Sequence, residues 1–291
     1  MANDKGNGGV TTGAVKLWVG VGAFVLAGAA VPAAALAQAA PSQKAPTVGH
    51  AGHAAPALAP SGGAQGGEGG EAGALSGVSA DVAYATRLML VRGHLFVGME
   101  LVHAGAWNDA VVHFLHPAEE IYGDLRPELR RRRALEFKTA LDGLAARVRA
   151  KRGGKDLEAA YRDLVAAVDR AWMAGLPRNE RSRPGFVVEV AASTLRSAAS
   201  EYGQALEDGR FANVVEYQDG SGFVAETDAL LRRHETALAA GNVEAWQKVR
   251  TAFAELRRAW PAPRPPEAPV LSVGEVSSLV SRIELTAQSW K

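Results

Sequence analysis

Cysteine is absent from the 291 residues. With it go disulfide frameworks, cysteine-held zinc, iron–sulfur clusters and thiol nucleophiles, so any metal must be held by histidine, carboxylate or tyrosine. An excess of either charge is missing as well, since 32 lysines and arginines face 31 aspartates and glutamates. A chain so balanced offers no field for a nucleic-acid backbone, and no nucleic-acid partner is expected. Nor does the chain contain a glycine-rich phosphate loop after a strand, a serine in a nucleophile-elbow pattern, or His-Glu-x-x-His. The common hydrolase and nucleotide-enzyme classes find no support, and a binding protein is the better expectation than an enzyme. Strand-like runs rich in Ile, Thr and aromatics are scarce, whereas Leu, Ala, Val and Arg recur at helical spacing. The pattern predicts an all-α fold, a multi-helix bundle of about seven or eight helices.

Lys16 precedes an uncharged apolar run over 17–36, and Ala35-Leu36-Ala37 before Gln38 has the form of a signal-peptidase site. Residues 1–37 are therefore read as a signal peptide. The alternative is an uncleaved anchor, the run being about long enough to cross a bilayer. Without them 30 basic and 30 acidic residues remain. The expected location is the periplasm, free or tethered at its face, with membrane contact only through an uncleaved N-terminal segment. Residues 38–77, rich in Ala, Gly, Pro and Ser, have no apolar periodicity to offset the entropy of ordering and read as a disordered linker. His50 and His53 within it are taken as solvated. A helical bundle over 78–260, a proline-rich connector over 261–270 and a C-terminal helix over 271–291 complete the expected organisation.

Within the bundle, Ser79 is placed to cap a helix reaching about Ala104, which Gly105 ends. A second helix is expected from Trp107 to Leu115, with Pro117 either kinking it or opening a new turn. A third should run from Pro127 to about Lys151, its Arg130–Arg133 run forming a solvated face with some carboxylate pairing. A fourth spans Asp156–Met173, a fifth Phe186–Glu207 and a sixth Asn213–Ala239, the last distorted at Gly220 and Gly222. Asn242 should cap a seventh, and Ser272-x-x-Glu275 is a capping-box signature for the last.

Four of the seven histidines, His94, His103, His113 and His116, fall in the first two helices or directly after the second. Glu100-x-x-His103 projects two ligand types from one helix face. It resembles half of the carboxylate-bridged di-iron pattern of ferritin-like bundles, but the chain holds no second Glu-x-x-His, so a di-iron oxidase is not implied. His113-x-x-His116, followed by Glu119 and Glu120, offers two histidines and a carboxylate, a set that suits Zn, Cu or Fe. His94 stands near Gly98, whose missing side chain admits a neighbouring helix, and is expected to be buried. In a polar cluster downstream, Glu201, Glu216 or Asp219 would complete a coordination sphere if that segment folds against the hairpin. The expected ligands are His94, Glu100, His103, His113, His116, Glu119, Glu120 and Glu216.

Val97-Gly98, Gly105, Trp107, Ala110 and Phe114 stand at offsets that resemble one tetratricopeptide repeat. The resemblance covers about 30 residues without an adjacent copy, so it implies a helical hairpin and not a solenoid. The sequence is thus read as an exported helical bundle that binds a transition metal through a His/Glu-rich hairpin, as carrier, sensor or transport accessory. The competing reading is a structural or protein-interaction module of the cell envelope, whose partner is an envelope protein.

Overall fold

The computed structural model describes residues 75–290. The segment read as signal peptide or anchor, and all but the last residues of the linker, lie outside the described residues. Among the described residues the fold is all-α, with eleven α-helices and one two-residue β-hairpin. No helix of these residues is long and apolar enough to cross a membrane.

Helix α1 (Ala80–His103) is the central element. Ser79 caps it by accepting from the Val82 N–H at 3.2 Å, Asp81 occupies its first turn, and Gly105 ends it at φ +74°. It is buried on nearly every side, which is why its apolar residues form no single stripe. Helix α2 (Trp107–His116) folds back on α1, and the Phe114 ring fills the space beside Gly98, where a Cβ would lie 2.8 Å from it.

Of the two outcomes expected at Pro117, the new turn is the one found. The proline opens a π-helical turn, Pro117–Ile121, in which the Tyr122 N–H donates to the Pro117 carbonyl five residues back. Proline has no N–H and crowds the carbonyl four residues before it, so the wider spacing relieves a clash that an α-turn would keep. Helix α3 (Tyr122–Arg131) continues directly from it, with Pro127 inside.

The expected third helix is in fact two. After α3 the chain turns at Arg133, in the left-handed region at φ +57°, and buries Ala134 and Phe137 before α4 (Lys138–Arg149) begins. The Tyr122 hydroxyl accepts from the N–H groups of Phe137 and Lys138, at 2.9 and 3.2 Å, so the start of α4 is capped by a tyrosine fifteen residues upstream. The arginine run is paired as expected: Arg130 with Glu136, Arg131 with Glu128, and Arg132 with Glu128 and Asp81.

Helix α5 (Lys155–Gly175) and the short α6 (Arg178–Arg181) lead to α7 (Pro184–Ala205). Helix α7 stops short of Glu207, because Leu206–Glu207 and Arg210–Phe211 pair as antiparallel strands β1 and β2 around Asp208-Gly209, both at positive φ. Helix α8 (Val214–Arg233) follows and runs unbroken through Gly220 and Gly222, against the expected distortion. These glycines serve close approach instead. A Cβ on Gly222 would lie 2.2 Å from the Gly93 carbonyl oxygen, and one on Gly93 would lie 2.5 Å from the Phe223 ring. Helices α1 and α8 therefore cross backbone to backbone, which buries both at this level.

At His234 the expected sixth helix ends, and α9 (Glu235–Gly241), α10 (Val243–Leu256) and α11 (Val273–Ala287) complete the fold. Asn242 caps α10, and Ser272 with Glu275 forms the capping box of α11. Helix α11 lies against α7 and α10. Tyrosines pin the proline-rich stretch that leads to it: Tyr217 donates to the Ala262 carbonyl and Tyr202 to that of Leu271. The core sits where α1, α7 and α8 meet.

Candidate metal centre

The backbone crossing at Gly93 and Gly222 fixes the depth of two neighbours, His94 on α1 and Asp219 on α8. Both are buried, with 1% and 2% of their surface exposed. Helix α2, folded over the same level, adds His113 and His116, and the π-turn adds Glu120.

Asp219 is the hub. Its Oδ1 accepts from His113 Nδ1 at 2.7 Å and its Oδ2 from His116 Nδ1 at 3.0 Å, while His94 Nε2 lies 3.4 Å from Oδ1. Burial acts to raise its pKa, but the facing His94 and His113 and the hydrogen bonds from His113 and His116 prevail and hold it well below the usual carboxylate range. The carboxylate is therefore ionised in the protein interior.

Each histidine has a different role. His94 Nδ1 lies 2.9 Å from the Leu90 carbonyl, which can only accept, so Nδ1 carries the proton. Burial pushes His94 down to about 4, and at neutral pH its Nε2 presents a lone pair toward Asp219. His113 has both nitrogens engaged, Nδ1 with Asp219 and Nε2 with the Gln218 side-chain oxygen at 2.9 Å. It ties α2 to α8 and has no nitrogen left for an ion.

His116 uses Nδ1 for Asp219 and turns Nε2 toward Glu120, 3.9 Å away. Burial opposes its charge, but the hydrogen bond to Asp219 and the charges of Asp219, Glu120 and Glu216 overcome it and push the ring up to about 9.

One nitrogen each of His94 and His116 and one Glu120 carboxylate oxygen lie within 4.8 Å of one another. Since Nδ1 of each histidine is held by a hydrogen bond, Nε2 is the ring atom that each would turn to an ion. Ligands of one tetrahedral ion stand about 3.3 Å apart, so small side-chain rotations close the set on a cation. Two imidazoles and a carboxylate suit Zn, Cu(II) or Fe(II) with positions left over. Asp219 behind His116 is the carboxylate that fixes the tautomer and direction of a metal-binding histidine.

The other expected ligands stand elsewhere. His103 is exposed and its Nε2 stands 2.8 Å from the accepting Glu158 carboxylate of α5, and Glu100 is exposed on the same helix. Nine residues separate His94 from His103, which at about 100° each puts them on opposite sides of α1. Glu119 is exposed on the π-turn. Glu216 is buried, is bonded to Asn213 at 3.1 Å, and acts on His116 through its charge. Nothing in the sequence alone singles out Gln218, and Asp219 stands there as one of three carboxylates. Their adjacency to Gly220 and Gly222 was the available clue, because glycines that admit a second helix bury their neighbours.

Residues 177–290 match the iron permease-associated 4-helix bundle domain. No curated protein and no solved structure gives a match. The stretch similar to the iron permease-associated domain spans α6 to α11, and so contains Glu216, Gln218 and Asp219. His94, His113, His116 and Glu120 precede it. The cluster thus joins a carboxylate inside the iron permease-associated stretch to histidines outside it.

Proposed function

We propose that this chain is an exported accessory to transition-metal transport that holds a single ion, iron foremost and copper or zinc as competitors, between His94, His116 and Glu120. The carrying observation is the convergence of these three side chains around one buried, ionised Asp219. The similarity to an iron permease-associated domain supports iron as the cargo. Loose closure of the three ligands and the partly exposed Glu120 suit an ion that is handed on, as by a carrier or sensor, better than one kept as a structural cross-link. The ion's partner in transfer would be a membrane protein at the periplasmic face.

Isothermal titration of the purified protein with Fe(II) without oxygen, and with Zn(II) and Cu(II), tests this. One ion per chain is expected, with binding lost in the His94→Ala, His116→Ala double variant and its helical circular dichroism retained. Absence of stoichiometric binding, or binding indifferent to both substitutions, would leave the His113–Gln218–Asp219 network as a purely structural tie between α2 and α8. A chelator would then leave the melting temperature unchanged.

A further inference from the structure

Beside Arg92, α1, α5 and α8 line an open cavity of about 350 Å³. Its floor is apolar: Leu88 and Val168 are fully buried, Leu230 nearly so, and the Trp172 ring forms a half-buried wall. An apolar hollow of this size, open to solvent and rimmed by a few charged groups, has the form of a small-molecule site.

The charges around it are unevenly matched. Arg92 crosses the cavity and engages both nearby carboxylates, Glu226 at 2.7 Å and Asp169 at 2.6 Å. Two further arginines stand at the mouth. Arg181 donates only to the Met173 and Leu176 carbonyls, and Arg233 is exposed; neither has a carboxylate partner among the described residues. Three arginines against two carboxylates leave one net positive charge over an apolar floor. His234, beside them, is lowered by burial and by the Arg233 charge.

We propose that this cavity binds a small amphipathic organic monoanion, an aromatic or branched carboxylate whose apolar body lies on Leu88, Val168 and Leu230 beside Trp172 while its head group pairs with Arg233. The space accommodates about ten to fifteen non-hydrogen atoms. A cation is disfavoured because both carboxylates are already taken by Arg92. A neutral apolar compound would leave the mouth arginines unused. The site shares no side chain with the histidine cluster, so it stands whether or not that cluster holds a metal.

The probes are 1-naphthoate and its uncharged analogue 1-naphthalenemethanol, titrated into the full protein by calorimetry. Naphthoate is expected to bind one to one and saturably, at least tenfold more tightly than the alcohol. Arg233→Ala, an exposed substitution that leaves the fold intact, is expected to weaken naphthoate at least tenfold and leave the alcohol unchanged. Trp172→Ala is expected to weaken both. His94→Ala with His116→Ala is expected to change neither. Absence of saturable naphthoate binding, equal affinity for the alcohol, or naphthoate affinity unmoved by Arg233→Ala would each overturn the proposal.

Discussion

His113 and Asp219, 106 positions apart in the chain, meet at 2.7 Å in the interior of the bundle. The contact joins the hairpin of α1 and α2 to α8, and it leaves the second Asp219 oxygen to orient His116. A single carboxylate thus both secures a helix and aims a ligand.

Asp219→Asn keeps the shape and removes the charge. Without it His116 loses the group that fixes its tautomer, so metal affinity should fall about 10- to 100-fold. Breaking a buried charged pair also costs about 3–5 kcal/mol, and urea denaturation of the metal-free variant should show a matching loss. Unchanged affinity in the calorimeter would remove Asp219 from the site.

The pH dependence follows from two histidines shifted in opposite directions. His116, which faces Glu120 of its own chain segment, Asp219 and Glu216 of α8 and His94 of α1, is held at about 9 in the metal-free protein. Its folded value exceeds the unfolded one, so its stabilising contribution is complete below about pH 6.5 and is lost as pH rises through 9. His94, held at about 4, behaves oppositely: its contribution is present above about pH 6.5 and is lost as pH falls through 4. Melting temperatures of the metal-free protein should therefore decline on both sides of a maximum. An ion that takes the His116 Nε2 must displace a proton near neutral pH, and calorimetry in buffers of different ionisation enthalpy should detect about one proton released per ion.

Gly222→Ala would place a Cβ against the Gly93 carbonyl, where only backbone movement can relieve it. A loss of about 1–3 kcal/mol is expected from overpacking, together with weaker metal binding as α1 and His94 move away from Asp219. Gly203→Ala is the control. Its Cβ would stand 3.7 Å from the Val273 side chain, an ordinary contact, and the change should be neutral or stabilise by about 0.4–1 kcal/mol. Thermal melts of the two variants distinguish crossing from propensity.

His103→Ala tests the Glu-x-x-His motif. The side chain is 54% exposed and paired on the surface, so stability should change by less than about 1 kcal/mol and metal affinity should not change. A drop in affinity would relocate the site to the other face of α1.

What could be read from the sequence was local. Ser79, Gly105, Asn242 and the Ser272–Glu275 box act within three or four residues of themselves, and each stands at the helix end where its chemistry put it. The split between α3 and α4 escaped because its cap, Tyr122, is distant in sequence and tyrosine is not a capping residue type. Gly220 and Gly222 read as weak points because a glycine's loss of entropy is visible in one sequence, whereas its partner across a helix crossing is not. The histidines were recognised as a group, but His113 and His116 look alike at i and i+3. Only the positions of Gln218 and Asp219 separate the one that is fully engaged from the one that keeps a nitrogen in reserve.

The π-turn at Pro117–Ile121 inserts one residue more than an α-turn holds. Upstream and downstream of it the chain is the same rod read in two different phases. Before the turn, the face toward α8 is set by His113 and His116; after it, Ile121, Tyr122 and Leu125 are turned into the core. Deleting Ala118 would merge the two phases into one continuous helix and rotate one of these faces outward by about 100°. The extra residue lets a single length of chain serve a polar cluster and an apolar core in succession, and Glu120 sits at the junction of the two.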